Sequence, residues 1–194
     1  MEFRYPPGAT PLDPGEAEGL KLEHITTQSE LNRWEQDNIN EAVSWTRRMR
    51  RSNILTEDFL CTLHEKMYSK VWKWAGTFRK TQKNIGGHWT TVPMELRQLL
   101  EDVAFWVENQ SYSADEIATR FHHRLVLIHL FPNGNGRHAR LATEVLLAKI
   151  LKTPIFSWGQ GNLVEAGTTR QKYIEALKEA DSHNYQALLF FVRS

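Results

Sequence analysis

Apolar residues recur along most of this chain at helical spacing. After Thr27-Gln28-Ser29-Glu30, which fits a capping box, Leu31, Trp34, Ile39, Val43 and Trp45 fall at inward positions of a helix predicted to reach about Arg50. A second helix starts near Thr56 and carries Phe59, Leu60, Leu63, Met67 and Val71. A third spans Met94 to Gln110. Ser113-Ala114-Asp115-Glu116 is another capping box, with Ile117, Phe121, Leu125 and Ile128 on one face behind it. Gly136 to Leu151 is apolar nearly all round, which predicts a central, buried helix stopped by Pro154. Thr168-Thr169-Arg170-Gln171 caps a helix through Ala180, and a last short helix carries Leu188, Leu189, Phe190 and Phe191.

Two stretches break this period. Residues 1–22 hold Pro6, Pro7, Pro11 and Pro14 with three glycines, so this arm reads as extended or irregular, able to dock through Phe3, Tyr5 and Leu22. Trp74-Ala75-Gly76 ends the second helical segment. Thr77 to Pro93 then contains Gly86-Gly87 among Thr, Ile, Val and Trp, the pattern of a β-hairpin or extended flap. The chain thus divides into an arm over 1–22, a helix over 23–54 that packs on the core, and a core over 55–194. The fold class is mainly α, a helical bundle with a hairpin.

Composition narrows the setting. The 194 residues are 41% hydrophobic and 24% charged, ordinary for a globular protein that buries a real core. A net charge of +1 makes no case for nucleic acid or a membrane surface. Arg47-Arg48-Met49-Arg50-Arg51 sits at a predicted helix C-terminus, where positive charge is favourable, and reads as a solvated helix end. No apolar run approaches the ~20 residues of a spanning helix. The lone Cys61 and the absence of an apolar signal core predict a reducing, cytoplasmic location. His122, His123, His129 and His138 invite a metal reading, but no H-E-x-x-H or Cys/His cluster accompanies them. His122 and His123 read better on a partly exposed helix face or as donors to carboxylates. Among the tryptophans, Trp72, Trp74 and Trp106 read as core, Trp89 and Trp158 as candidates to face a ligand or target.

The chemistry concentrates in His129-Leu130-Phe131-Pro132-Asn133-Gly134-Asn135-Gly136-Arg137-His138-Ala139-Arg140. Gly134 and Gly136 let the backbone turn tightly and approach a ligand. The loop opens into a helix whose first N–H groups lack intrahelical partners and carry the positive end of the helix dipole, a ready anion site. Arg137 and Arg140 lie one turn apart and can fork onto phosphate oxygens. Asn135 can fix the loop or donate to a phosphate. His129 ends the preceding helix with an imidazole suited to abstracting a hydroxyl proton. Phe131 anchors the loop in the core.

These residues, with Trp74 to Arg79 leading into Asn84-Ile85-Gly86-Gly87 and with Tyr173-Ile174-Glu175-Ala176-Leu177, resemble the Fic (Fic/Doc) family over roughly residues 55–192; the arm and the overall pattern also resemble its subgroup labelled mobile mystery protein B. The resemblance implies a Fic-type helical bundle with a β-hairpin flap over the active site. It implies AMPylation, the transfer of AMP from ATP to a Ser, Thr or Tyr hydroxyl of a target protein. By position, His129 is the general base, Gly134, Asn135 and Gly136 form the anion hole, and Arg137 and Arg140 hold phosphates. The flap takes a target segment by strand addition, with Ile85, Gly86 and Gly87 at the contact. Tyr173 is a candidate for the adenine.

One position departs from the family pattern. Asn133 stands where Asp or Glu holds Mg²⁺, so Mg²⁺ or Mn²⁺ is expected to be weakly held by the protein. The alternative reading is therefore a nucleotide-binding protein with weak or altered phosphotransfer, acting as a toxin–antitoxin-type interaction module. Relatives are held off by a glutamate in an [S/T]-x-x-x-E-[G/N] helix. Glu30, in Thr26-Thr27-Gln28-Ser29-Glu30-Leu31, is the nearest match, although the capping box also explains it. A separate antitoxin-like partner is the other source of such an acid.

Overall fold

The computed structural model describes residues 8–50, 53–164 and 166–194. Phe3 and Tyr5 of the expected docking arm, and Arg51 of the arginine run, lie outside them. Eight α-helices run in chain order among the described residues: α1 (Pro14–Ala17), α2 (Gln28–Arg48), α3 (Glu57–Tyr68), α4 (Val92–Glu108), α5 (Ala114–Ile128), α6 (Asn135–Leu146), α7 (Thr168–Asp181) and α8 (Gln186–Arg193).

Local chemistry starts most of them. The Thr27 hydroxyl accepts from Glu30 N while the Glu30 carboxylate accepts from Thr27 N, so the box that opens α2 is complete. Thr56 and Ser113 cap α3 and α5 the same way from the hydroxyl side. At α7 the cap is Gly167, with no side-chain bond, so the Thr168 box expected there does not form. The strongly apolar helix runs from Asn135 and ends in a π-turn over Leu147–Leu151.

Helices α5 and α6 form the centre, α4 lies on α5, and α2 packs on α3, which reaches α6. Leu60, Leu63, Met67, Leu96, Leu99, Phe121, Phe131 and Leu146 are essentially sealed from solvent. Each such side chain contributes ~1.5–3 kcal/mol over its exposed state. The α7–α8 pair closes a second cluster with Phe156, Trp158, Tyr173 and Leu188. In α2, Leu31 and Ile39 face inward as expected, but Trp34 is 43% exposed and the buried face carries Glu35 and Asn38 instead. His122 and His123 are buried, not on a partly exposed face, because α7 and α8 cover that side of α5.

The arm is more structured than its prolines imply. Pro14–Ala17 forms one helical turn, and Leu20 pairs with Trp72 in an antiparallel bridge flanked by Lys21 N to Val71 O and Lys73 N to Gly19 O. Leu12, Leu20 and Leu22 pack against the core. Residues 77–88 carry no named strand and lead into a 3-10 turn at Trp89–Thr91. No helix among the described residues is long and apolar enough to cross a membrane.

Candidate functional site

The motif loop is shaped by groups buried beneath it. Asn135 is buried, and its amide bridges Phe131 on both sides, Nδ2 donating to Phe131 O at 2.7 Å and Oδ1 accepting from Phe131 N at 2.9 Å. Of the two roles open to this side chain, it fixes the loop. Phe131 stacks on His64 at 3.7 Å between ring centroids. His64 is sealed, takes the Gly76 N–H on Nδ1 and donates from Nε2 to Asn133 O at 3.1 Å, which defines its neutral tautomer. Burial and the neighbouring His138 hold its pKa well below the usual histidine value.

Gly134 caps α6 at φ 78, and a Cβ there would lie 2.6 Å from the Tyr68 ring, so only glycine fits. A Cβ on Gly136 would meet only the Arg140 guanidinium at 3.8 Å, which leaves that side of the loop open. The first helical bond runs from His138 N to Gly134 O, so the amides of Asn135, Gly136 and Arg137 precede it as first-turn donors. These groups face a cleft of about 470 Å³ that is also lined by Glu35, His129, Asn133, Arg140, Arg170 and Tyr173.

His129 caps α5 in the left-handed region at φ 58, a strained conformation for a non-glycine residue. Three contacts hold it there: its N–H donates to Leu125 O at 3.3 Å, Arg79 Nε donates to its carbonyl at 2.7 Å, and its own Nδ1 lies 3.4 Å from Val126 O. Its Nε2 is buried with no hydrogen-bond partner. Burial, opposed by the Val126 carbonyl and assisted by the Arg79 and Lys83 cations, brings the imidazole down to about 4, so it is neutral at physiological pH. A buried, neutral ring nitrogen with a free lone pair can accept a proton.

Arg79, which sequence reasoning left inside a family segment without a role, ties the flap to this helix end. It is 1% exposed, and its guanidinium donates to His129 O, Thr81 O and Gly87 O, where positive charge also suits the α5 C-terminus. Gly86, at φ 89, passes so close that a Cβ would stand 3.0 Å from Arg79 Nη2 and from the carbonyls of Leu127 and Ile128. Ile85 lines the cleft from the flap side.

The two motif arginines differ in their surroundings. Arg137 Nη1 pairs with Glu35 at 2.6 Å and lies 5.2 Å above the Tyr68 ring. Glu35 is 5% exposed and also accepts from Trp72 Nε1 at 2.7 Å. Arg140 lies 5.9 Å above the Tyr173 ring, on the cleft wall. The acid that pairs with a motif arginine is thus Glu35, on Arg137, whereas Glu30 is exposed and its carboxylate is taken by Thr26 N and Thr27 N at 3.0 Å each. Sequence reasoning missed Glu35, although it falls one turn after Leu31 on the buried face of α2.

Asn133 does not present itself as a metal ligand. Its Oδ1 accepts from Gly134 N at 2.7 Å and its Nδ2 donates to Thr10 O at 3.1 Å. Of the two carboxylates that line the cleft, Glu35 is paired with Arg137 and Asp181 with His123. This donor set does not fit a protein-held Mg²⁺. The other histidines are bound within the protein: His122 to Tyr173 OH, His123 to Asp181 and Tyr185, His138 to Leu60 O. No group of three metal-binding side chains forms among the described residues. Trp158 is buried and donates to Glu144, so it does not face a ligand, while Trp89 is 37% exposed.

The helical bundle thus gathers an open helix start, a neutral buried histidine and the two motif arginines around one cleft. Residues 54–147 match the model of the Fic/DOC family. It is 32% identical over 120 residues to protein adenylyltransferase Fic of Drosophila grimshawi, covering 60% of this chain and 23% of that protein. The Culex quinquefasciatus protein of the same name is 31% identical over 120 residues, covering 60% and 22%. The chain therefore spans under a quarter of the length of these relatives. The fold is also that of BepC, a VirB-translocated effector of Bartonella tribocorum solved with bound AMPPNP (TM-score 0.68, 17% identity, 87% of each chain). The N-terminal FIC domain of Bep8 from Bartonella sp. 1-1C superposes at TM-score 0.71 with 13% identity, covering 91% of this chain and 90% of that one.

Proposed function

We propose that this protein transfers AMP from ATP to a Ser, Thr or Tyr hydroxyl of a target protein. The observation that carries this reading is the unpartnered, buried Nε2 of His129 on the same cleft as the open helix start at Gly136. The amides of Asn135, Gly136 and Arg137 take phosphate oxygens, Arg140 adds charge, and Arg137 joins once Glu35 yields it. His129 Nε2 accepts the target hydroxyl proton as that oxygen bonds to the α-phosphorus. The bond from the α-phosphorus to its bridging oxygen breaks, and pyrophosphate leaves. Ile85, Gly86 and Gly87 face the incoming target segment. Asn133, with its amide engaged by Thr10 O and Gly134 N, would not supply a metal-holding charge here.

Relatives named as adenylyltransferases and a like-folded protein solved with AMPPNP support the reading. The engaged side chain of Asn133 favours slow transfer over fast. Labelled ATP incubated with the protein alone, and with cell extract, tests it. Label is expected on protein with wild type and absent with His129→Ala. Labelling that survives His129→Ala would remove the base assignment.

A further inference from the structure

Residues 8–13 cross the mouth of the cleft between the flap and the motif loop. Three side chains hold three consecutive carbonyls of this crossing. Asn84 Nδ2 donates to Ala9 O at 3.2 Å, Asn133 Nδ2 to Thr10 O at 3.1 Å, and Lys83 Nζ to Pro11 O at 3.1 Å. Two of these donors belong to the flap and one to the motif loop, so the arm bridges both walls. The Lys83 side chain is 2% exposed and also pairs with Asp13 at 2.9 Å and with Glu16. Gly8 turns at φ 72 against α7, where a Cβ would stand 2.7 Å from Ile174 Cδ1.

We propose that this groove is a peptide-docking site that grips main-chain carbonyls, and that its resident occupant is the chain's own segment 8–13, which a target segment must displace. The inference rests on the transfer reading above and adds how access to that site is controlled. A strip of donors suits a segment rich in proline, which keeps its carbonyls and loses N–H groups, and Pro11 lies within the held stretch. It also explains the amide at position 133. A carboxylate there could not donate to the Thr10 carbonyl and would set two acceptor oxygens against each other. The residue that lacks a metal-binding charge is the one that latches the arm.

A tethered arm competes at an effective concentration of roughly millimolar or above, so a free peptide meets strong competition. The test uses the full chain and a fluorescent peptide of residues 8–14, read by polarisation. Gly8→Val with Asp13→Lys alters only the arm, through a β-branched residue at positive φ and a lost ion pair. The peptide is expected to bind this variant at least about tenfold more tightly than wild type. Asn84→Ala added to that variant should weaken the peptide again. Equal affinity for wild type and variant overturns the proposal, as does no binding to either when both melt cooperatively. ATP affinity is measured on the same samples. A failed nucleotide site shows as lost ATP binding with the peptide result unchanged, and a failed groove shows as the reverse.

Discussion

His129 holds its place through main-chain geometry more than through its side chain. Its carbonyl is taken by Arg79, its backbone is left-handed, and only a long contact to Val126 O orients the ring. Burial keeps the imidazole neutral, so its depressed pKa sets the acid limit of the free protein. Wherever the protein stays folded, the kcat/KM of AMP transfer should therefore stay level as pH drops below neutral, because His129 protonates only at about 4. A bound triphosphate adds negative charge beside the ring, so kcat should fall at a higher pH than kcat/KM. Initial rates against pH check both limbs. A free-protein limb at the ordinary histidine value of ~6.5 would contradict the burial argument. His129, Gly134, Gly136, Arg137 and Arg140 were legible in the sequence because their chemistry is local and ordered along one turn. Their supports were not. Arg79 reaches His129 across 50 positions, His64 reaches Asn133 across 69, and Glu35 reaches Arg137 across 102. No periodicity encodes such pairs.

At the scale of elements, caps and apolar faces were readable wherever the signal is local. Thr27, Thr56 and Ser113 start their helices by the side-chain bonds their spacing implies. The Gly167 start of α7 was not readable, because a glycine cap leaves no side-chain signature. The register of α2 also carries function. The turn that buries Leu31 places Glu35 under Arg137, so this helix neutralises one of the two motif arginines. Glu35→Gln preserves volume and removes the charge. It should tighten ATP binding by about tenfold, ~1.4 kcal/mol, because phosphate no longer competes with a carboxylate for Arg137. Leaving the arginine without its counter-charge should cost stability, about 2 kcal/mol or ~4–8 °C of Tm. Calorimetric titration with ATP and a thermal melt give the two readouts. Unchanged ATP affinity would mean that Arg137 takes no phosphate. Glu30→Gln, by contrast, should leave ATP affinity unchanged, because its carboxylate serves only the start of α2.

The whole molecule stores a pH dependence in its buried histidines. His64, His122, His123, His129 and His138 all sit below the ordinary value, chiefly through burial, with His122 brought to about 3 and His138 to about 4. Unfolding returns each ring to water and to a pKa of ~6.5, so the unfolded chain binds more protons below that pH. Stability is therefore full above about pH 6.5 and falls as pH drops toward 4, by up to ~1.4 kcal/mol per pH unit for each ring. Urea midpoints measured over this range should decline steeply. A flat profile would mean that the rings are solvated.

The sequence by itself determined the helical class, most helix starts and the glycine-rich turn that runs from His129 into the helix of Arg137 and Arg140. Each of these is written in residues close together along the chain, where helical period, capping and a glycine turn act within a few positions. The tertiary structure alone decided what confronts the loop. Packing α2 on α3 brought Glu35 to Arg137, α7 and α8 buried His122 and His123, and the arm folded back to set Thr10 on Asn133. Those contacts join residues 51 to 123 positions apart, and they form only because burying apolar faces leaves the polar groups between them one place to meet.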